Sequence, residues 1–566
     1  MQQNNNLSAY RFHTKHASIQ FLRYLHIMKE NSSSTKQLLQ TCLALDRWHQ
    51  FRLRLFLEGI FVGILGGLSI SLFRYLLNVS EALRLHLYEA YLRPALSQEN
   101  WLPLLAYGLL LLLISGLLYG MCRYAPMAGG SGIPQVKGVV LGLMKMKWFR
   151  ILWVKILAGA IGIGAGLSLG REGPSIQIGA VAGQGFSRLL GRTRMEERYL
   201  ITSGASAGLA AAFNAPLAGM MFALEELHRN FSGAVLLPTM TSAITATIVT
   251  RFFFGDSTSF TFLHLSPLPA AYLPCVALVA ITCGFAGIFF NYGLLHIHYL
   301  YRPSIFRNQW TKILFALVWA GILGFVLPEV LGGGNLLVDQ LAAHAYPLSF
   351  LLLLLAGKFI FTLISYGCGT PGGFFLPLLV LGALIGATEA NLLIAGALLP
   401  DLYRPTIIII GMGALFAASV RSPITGTLLI LEMTGDFNHL MALALASALA
   451  YITAELLKGQ PIYDALLKKS LSASPDRACE EERNIIEVPV GSGSLLDNHI
   501  LSDISLMDQT VLVEIKRQGR IIIPDGNTRL RSGDFLYILS ASKNAAALKN
   551  MGEEQVPRNR IRSNTR

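Results

Sequence analysis

The sequence predicts an all-α polytopic membrane protein that ends in a small α+β soluble domain. Three observations carry this: an apolar composition, a succession of helix-length apolar segments, and a change to alternating polar and apolar residues near the C-terminal end. Hydrophobic residues make up 53% of the chain and charged residues only 14%, and the mean hydropathy is +0.51. Soluble domains carry roughly a quarter charged residues, so lipid solvates most of this chain.

A helix needs about 20 mostly apolar residues to cross the hydrocarbon core. Uncharged stretches of that kind run from Trp101 to Gly120, Gly233 to Thr250 and Leu268 to Tyr301, and further apolar spans broken by charge occupy 54–73, 151–170, 311–328, 347–366, 404–431 and 439–457. Met1 to Ser34 is polar and does not read as a cleavable signal peptide, so both termini are expected in the cytoplasm of a multi-pass inner-membrane protein. The net charge of +13 does not imply a nucleic-acid partner. Basic residues gather in short runs between spans, such as Lys145, Lys147 and Arg150, or Arg302, Arg307 and Lys312, as the positive-inside rule requires. The segment Phe252 to Pro267 has Asp256 and no Lys or Arg, which puts it outside. Cys42, Cys122, Cys275, Cys283, Cys368 and Cys479 form neither a CxxC pair nor a Cys/His cluster, so no metal, cofactor or disulfide framework is expected.

Along the chain, 1–44 reads as a cytoplasmic N-terminal tail, leading into an amphipathic stretch from Leu38 to Leu55 on the membrane surface. Residues 45–470 form the transmembrane domain, 471–483 a connector, 484–553 the soluble domain and 554–566 a basic tail. The soluble domain begins with the alternating run Ile485-Ile486-Glu487-Val488-Pro489-Val490, and a helix near 495–506 and strands at 510–517, 520–523 and 534–540 are expected after it.

The transmembrane domain is duplicated, with repeats at about 50–255 and 265–470. A shift of 207 residues lays Gly204, Ala207, Ala210, Ala211, Pro216, Gly219, Leu224 and Glu225 on Gly411, Ala414, Ala417, Ala418, Pro423, Gly426, Leu431 and Glu432. A shift of 203 lays Gly170, Pro174, Gly179, Ala180 and Gly183 on Gly373, Pro377, Gly382, Ala383 and Gly386. Gly/Pro-interrupted apolar segments at matching places in two halves indicate broken helices meeting near the bilayer midplane, where transporters hold their substrate. The plainer alternative is close packing of small residues alone.

Three Gly/Pro-punctuated segments read as helix starts: Gly130-Ser131-Gly132-Ile133-Pro134, Gly170-Arg171-Glu172-Gly173-Pro174 and Gly373-Phe374-Phe375-Leu376-Pro377. Each leaves backbone N–H groups without intrahelical partners. Several such ends aimed at one point bind an anion without a full positive charge, and so can release it again. Glu172 is an ionisable residue in an apolar setting, which is costly and usually functional. An ion pair with Arg171 is its structural alternative, disfavoured because helix neighbours at i,i+1 do not face each other.

These segments, with Gly459-Gln460-Pro461-Ile462-Tyr463 downstream, resemble the CLC family of chloride channels and proton/chloride antiporters over roughly 50–470. The resemblance implies a homodimer with one anion pathway per subunit, built as two inverted-topology repeats with broken helices. It implies a central chloride held by the Ser131 hydroxyl, the Tyr463 phenol and the N–H groups of Phe374 and Phe375, with Glu172 as the gate that competes for the outer site. Burial disfavours a charged carboxylate, so Glu172 is expected to take a proton and swing aside. Glu226, in Phe222-Ala223-Leu224-Glu225-Glu226-Leu227, matches the inner proton-transfer acid of the antiporters, and its alternative is a helix-end charge beside His228 and Arg229. Glu225 has Glu432 as its repeat mate, which implies a paired structural role. Gln135 and Lys137 stand where related bacterial chains often have acids, and are expected to draw anions to the inner mouth. The run Arg520 to Leu539 resembles the TrkA-C domain of potassium-transport regulators; domains of that type bind a small ligand or dimerise, so the resemblance implies regulation of transport without naming a ligand. The expected function is proton/chloride antiport; the alternative is a passive chloride channel. Gly129-Gly130-Ser131-Gly132 also fits the GxSG pattern of intramembrane serine proteases, with His296 or His298 as base, but a duplicated body has no place in that fold, and no enzyme activity is expected.

Overall fold

The computed structural model describes residues 33–229, 231, 233–256, 258–260, 265–472, 483–491, 493–504, 506–507, 510–517, 520–541, 544, 547–548 and 551–552. The chain divides into two units, 1–58 and 59–566. Of the first, only the part of helix α1 (Ser33–Leu87) before Gly59 is described. Residues 1–32 of the N-terminal tail, 473–482 of the connector, the last residue of the soluble domain (553), the basic tail at 554–566 and the side chains that would make the stretch before Leu53 amphipathic lie outside the described residues. All that follows concerns the second unit.

Nine helices among the described residues are long and apolar enough to cross a membrane. The first half holds α2 (Trp101–Tyr124), α3 (Ile133–Val140), α4 (Trp148–Gly164), α5 (Glu172–Leu189), α6 (Arg194–Phe213), α7 (Pro216–Phe222) with a π-turn at Ala223–His228, and α8 (Gly233–Phe254). The second half repeats the series as α9 (Leu273–His296), α10 (Gln309–Val326), α11 (Asn335–Ala343), α12 (Leu348–Gly367), α13 (Phe375–Ala395), α14 (Arg404–Val420), α15 (Pro423–Thr434) and α16 (Leu440–Leu456), and α17 (Ile462–Ser472) follows. The expected span at 404–431 is two helices: Arg421 takes a left-handed φ of 72°, and its guanidinium bonds the carbonyls of Tyr451, Ala454 and Gly459 instead of continuing the helix. Its mate at a shift of 207, Asn214, ends α6 in the same way with φ 60°. The expected span at 151–170 likewise ends at Gly164.

The duplication is conformational as well as sequential. Gly130 and Gly132 have φ 65° and 89°, and Gly332 and Gly334, before α11, have 59° and 94°; only glycine takes such values cheaply. Lys155 is fully buried and donates to the carbonyls of Ala128 and Gly130. Lys358, its mate at a shift of 203, is also fully buried and donates to Val330 and Gly332. Each lysine fastens the turn that precedes a half-helix. The α5/α6 and α13/α14 crossings are backbone to backbone, since a Cβ on Gly179 or Gly204, or on their mates Gly382 and Gly411, would collide with the carbonyl of the facing glycine.

The soluble domain is one antiparallel sheet of β1 (Arg483–Pro489), β2 (Val511–Arg517), β3 (Arg520–Ile522) and β4 (Phe535–Ala541), in the order β1-β4-β2-β3. Ile486, Val488, Ile515, Leu536 and Ile538 build its core. The helix expected near 495–506 does not form, and one 3-10 turn at Leu501–Asp503 stands there. Asp497 is the reason: its carboxylate accepts from the amides of Gly493 and Ser532, a local alternative that competes with helix, and Asn498 takes φ 63°.

Asp534, whose side chain is fully buried, accepts two hydrogen bonds of 2.7 Å from Arg517 and one of 2.8 Å from the Arg531 amide. Burial opposes its charge, but these donors outweigh burial and hold the carboxyl below the usual Asp range. A depressed native pKa gives stability that is complete above the unfolded value, about 3.9, and is lost as pH falls through the lower native value. The β2–β4 amides of the full chain should therefore keep their hydrogen-exchange protection at pH 5 and lose it in stronger acid. Asp534→Asn should lower that protection at neutral pH by about 1.5–3 kcal/mol and flatten the acid limb; a variant profile matching the wild type would contradict this.

Candidate functional site

Backbone pairing brings the three punctuated segments together. The Gly130 N–H donates to the Thr370 carbonyl and the Gly372 N–H to that of Gly130, both at 3.1 Å. Gly170 and Gly373 exchange two bonds, 2.6 and 2.9 Å long. The turns before α3 and α5 thus both anchor on the turn before α13. At their junction, a Cβ on Gly173 would lie 2.8 Å from the Ser131 carbonyl and 3.2 Å from the Gly373 Cα, so only glycine lets the three starts close up.

The start of α17 joins them through its ring. Tyr463 stacks on Phe374 at 5.5 Å between centroids and meets Phe222 edge-on at 6.3 Å. Phe375 packs on Phe213, Phe222 and Phe416. Ser131, Phe374, Phe375 and Tyr463 are all buried. The Tyr463 hydroxyl has no hydrogen-bond partner among the described residues, a costly state for a buried polar group. The structure adds Tyr366, whose ring lies edge-on to Phe374 at 5.1 Å and whose hydroxyl interacts with Ser131. No sequence signal marks it, since a tyrosine in the apolar run of α12 is an ordinary span residue.

Glu172, fully buried in the first turn of α5, turns its carboxylate toward the start of α13. One oxygen lies so close over Gly170 that a Cβ there would collide with it, beside Leu376. The carboxylate feels the amides of Glu172 and Leu376 without closing a well-formed hydrogen bond to any described group. Arg171 approaches to 3.9 Å, an ion contact looser than a charge-assisted hydrogen bond. The carboxyl group therefore rests where helix N-termini favour negative charge.

Glu226, on the π-turn, is not an exposed helix-end charge but 1% exposed. It accepts from Lys137 at 2.7 Å and from the Ser422 hydroxyl at 3.2 Å. Lys137 is therefore not a free cation at the inner mouth: it is equally buried, and its ammonium also contacts Asp464 at 2.5 Å. Gln135 turns to the Gly129 carbonyl. Glu225 and Glu432 do form a pair of structural caps. Glu225 accepts from the Ile424 and Thr425 amides at the start of α15, and Glu432 from those of Leu217 and Ala218 at the start of α7. Each half thus caps a helix of the other. The Ser131 hydroxyl accepts from the Ile133 amide, while His296 and His298 bond the carbonyls of Tyr292 and Leu295, so neither of these two is hydrogen-bonded to Ser131 as a base would be.

Residues 110–455 match the voltage gated chloride channel family, and 485–551 match the TrkA-C domain. The H(+)/Cl(-) exchange transporter ClcA of Vibrio cholerae is 38% identical over 357 residues, 62% of this chain and 76% of that protein. Its counterpart in Vibrio parahaemolyticus is 38% identical over 381 residues, 66% of this chain and 80% of that protein. A solved structure of a slow cyanobacterial Cl-/H+ antiporter matches with a TM-score of 0.69 and 32% identity over 75% of this chain and 99% of its own. A CLC-type fluoride/proton antiporter shares the fold, with a TM-score of 0.58 and 21% identity over 73% of this chain and 97% of its own.

Proposed function

The chain belongs to the voltage-gated chloride channel family, and from that premise we propose that it exchanges chloride for protons across the membrane. The observation that carries this reading is the buried, unpartnered hydroxyl of Tyr463, which lies within electrostatic reach of both Glu172 and Glu226. An anion held there has two titratable carboxylates, Glu172 and Glu226, within electrostatic reach, which a passive pore does not need. In this account Ser131, Tyr463 and the N–H groups of Phe374 and Phe375 hold the central chloride. The Glu172 carboxylate alternates with chloride at the outer helix ends, and its protonated form swings aside. Glu226 passes protons between Glu172 and the cytoplasm.

The working unit is a homodimer of the 45–470 body in the inner membrane, with both termini cytoplasmic. Its soluble domain, 484–553, binds a small ligand that modulates transport through the connector. In proteoliposomes under an imposed voltage, an outward chloride gradient should drive protons inward against their own gradient. Chloride flux with no uphill proton movement would make the protein a passive channel.

The central site has its own test. A hydrogen bond to a charged group is worth roughly 1.5–3 kcal/mol, so Tyr463→Ala and Ser131→Ala should each weaken chloride binding about tenfold to a hundredfold by calorimetry. Wild-type affinity in both would remove chloride from this place.

A further inference from the structure

Lys137 touches more of the exchange machinery than any other cation among the described residues. It sits on α3, six residues after Ser131. Its ammonium holds Glu226 on the π-turn at 2.7 Å and Asp464 on α17 at 2.5 Å, and Asp464 directly follows Tyr463. The groups facing Glu226 are Lys137 from α3, Asp464 and Tyr463 from α17, Ser422 from the break between α14 and α15, and Arg229 just past its own turn. Arg198, Tyr199 and Thr202 of α6 face His228 instead. Arg229 also reaches Asp464, at 2.5 Å. Lys137 is buried with a side chain 2% exposed, as is Glu226, whereas Asp464 is 34% exposed.

We propose that Lys137 is the positioning residue that ties proton loading at Glu226 to the chloride-holding ends of α3 and α17, through an ammonium shared between Glu226 and Asp464. The inference rests on the exchange reading above. Breaking a buried ion pair is costly because it leaves one charge unpaired. A shared ammonium avoids that cost: when Glu226 takes a proton, Lys137 keeps Asp464, and when Glu226 gives it up, Lys137 takes both. Without Lys137 the Glu226 carboxylate is left with the half-exposed Arg229 as its one facing cation among the described residues, and the proton leaves slowly. Without the Asp464 carboxylate the ammonium depends on Glu226 alone, and the proton enters slowly. Either loss breaks the link between the proton and the helix ends that carry Ser131 and Tyr463.

The test is the reversal potential of purified protein in planar bilayers under crossed chloride and proton gradients. This potential reports protons moved per chloride and does not change when a variant merely lowers the amount of active protein. In Lys137→Met it should move toward the chloride equilibrium value, with proton flux per chloride down about fivefold or more, and Lys137→Arg should restore it. If Lys137→Met yields no folded dimer, Asp464→Asn carries the test and should move the potential in the same direction. A wild-type potential in Lys137→Met, or in Asp464→Asn where that variant stands in, overturns the inference alone. A wild-type protein that itself reverses at the chloride equilibrium value overturns the exchange reading and this inference with it.

Discussion

Glu172→Gln should carry chloride with no coupled proton movement at all, a chloride gradient driving protons no faster than the leak of empty liposomes. The amide has nearly the volume of the carboxyl, so the α5 start keeps its packing, but it neither binds nor releases a proton. It also carries no charge to compete at helix ends that favour anions. The pH dependence of chloride flux should flatten in the same variant, because the titrating competitor is gone. The carboxylate lies beside Leu376 at the start of α13, so its removal acts on the anion path itself. Uphill proton transport by Glu172→Gln would show that the gate is elsewhere.

Glu226→Gln should also stop proton transport while voltage-driven chloride movement continues, since Glu226 lies on the proton branch alone. The fold should survive because Lys137 keeps Asp464 as a partner. Breaking a buried ion pair outright costs about 3–5 kcal/mol, and here the remaining carboxylate offsets part of that loss. Proton and chloride fluxes followed together in one liposome preparation separate the two branches. Protons pumped uphill by Glu226→Gln at the wild-type rate would remove the residue from the path.

The parts of this site legible in the sequence are those whose chemistry is local. Glycine and proline set the backbone where they stand, so the starts of α3, α5 and α13 fall at the three punctuated segments. The duplication was readable for the same reason, and it pointed to a paired role for Glu225 and Glu432. That each caps a helix in the opposite half depends on how the halves interlock, which no spacing states. Lys137 was visible as a cation after the first motif, but its partners Glu226 and Asp464 lie 89 and 327 residues further on, so its charge read as free when it is spent on ion pairs. The break at Arg421 was hidden because a lone arginine in an apolar run looks like an interruption of one span. In the soluble domain the apolar spacing of 495–506 resembled a helix, and the turn-forming carboxylate of Asp497 overrode it.

The central claim is that chloride and the Glu172 carboxylate exclude each other from one place. Chloride binding measured by calorimetry in buffers of different ionisation enthalpy counts the protons that accompany it. If chloride displaces the carboxylate into its protonated, swung-out form, the wild-type protein takes up protons as chloride binds, and Glu172→Gln takes up none. Proton uptake of equal size in both proteins, or none in the wild type at any pH at which it is folded, would contradict the claim.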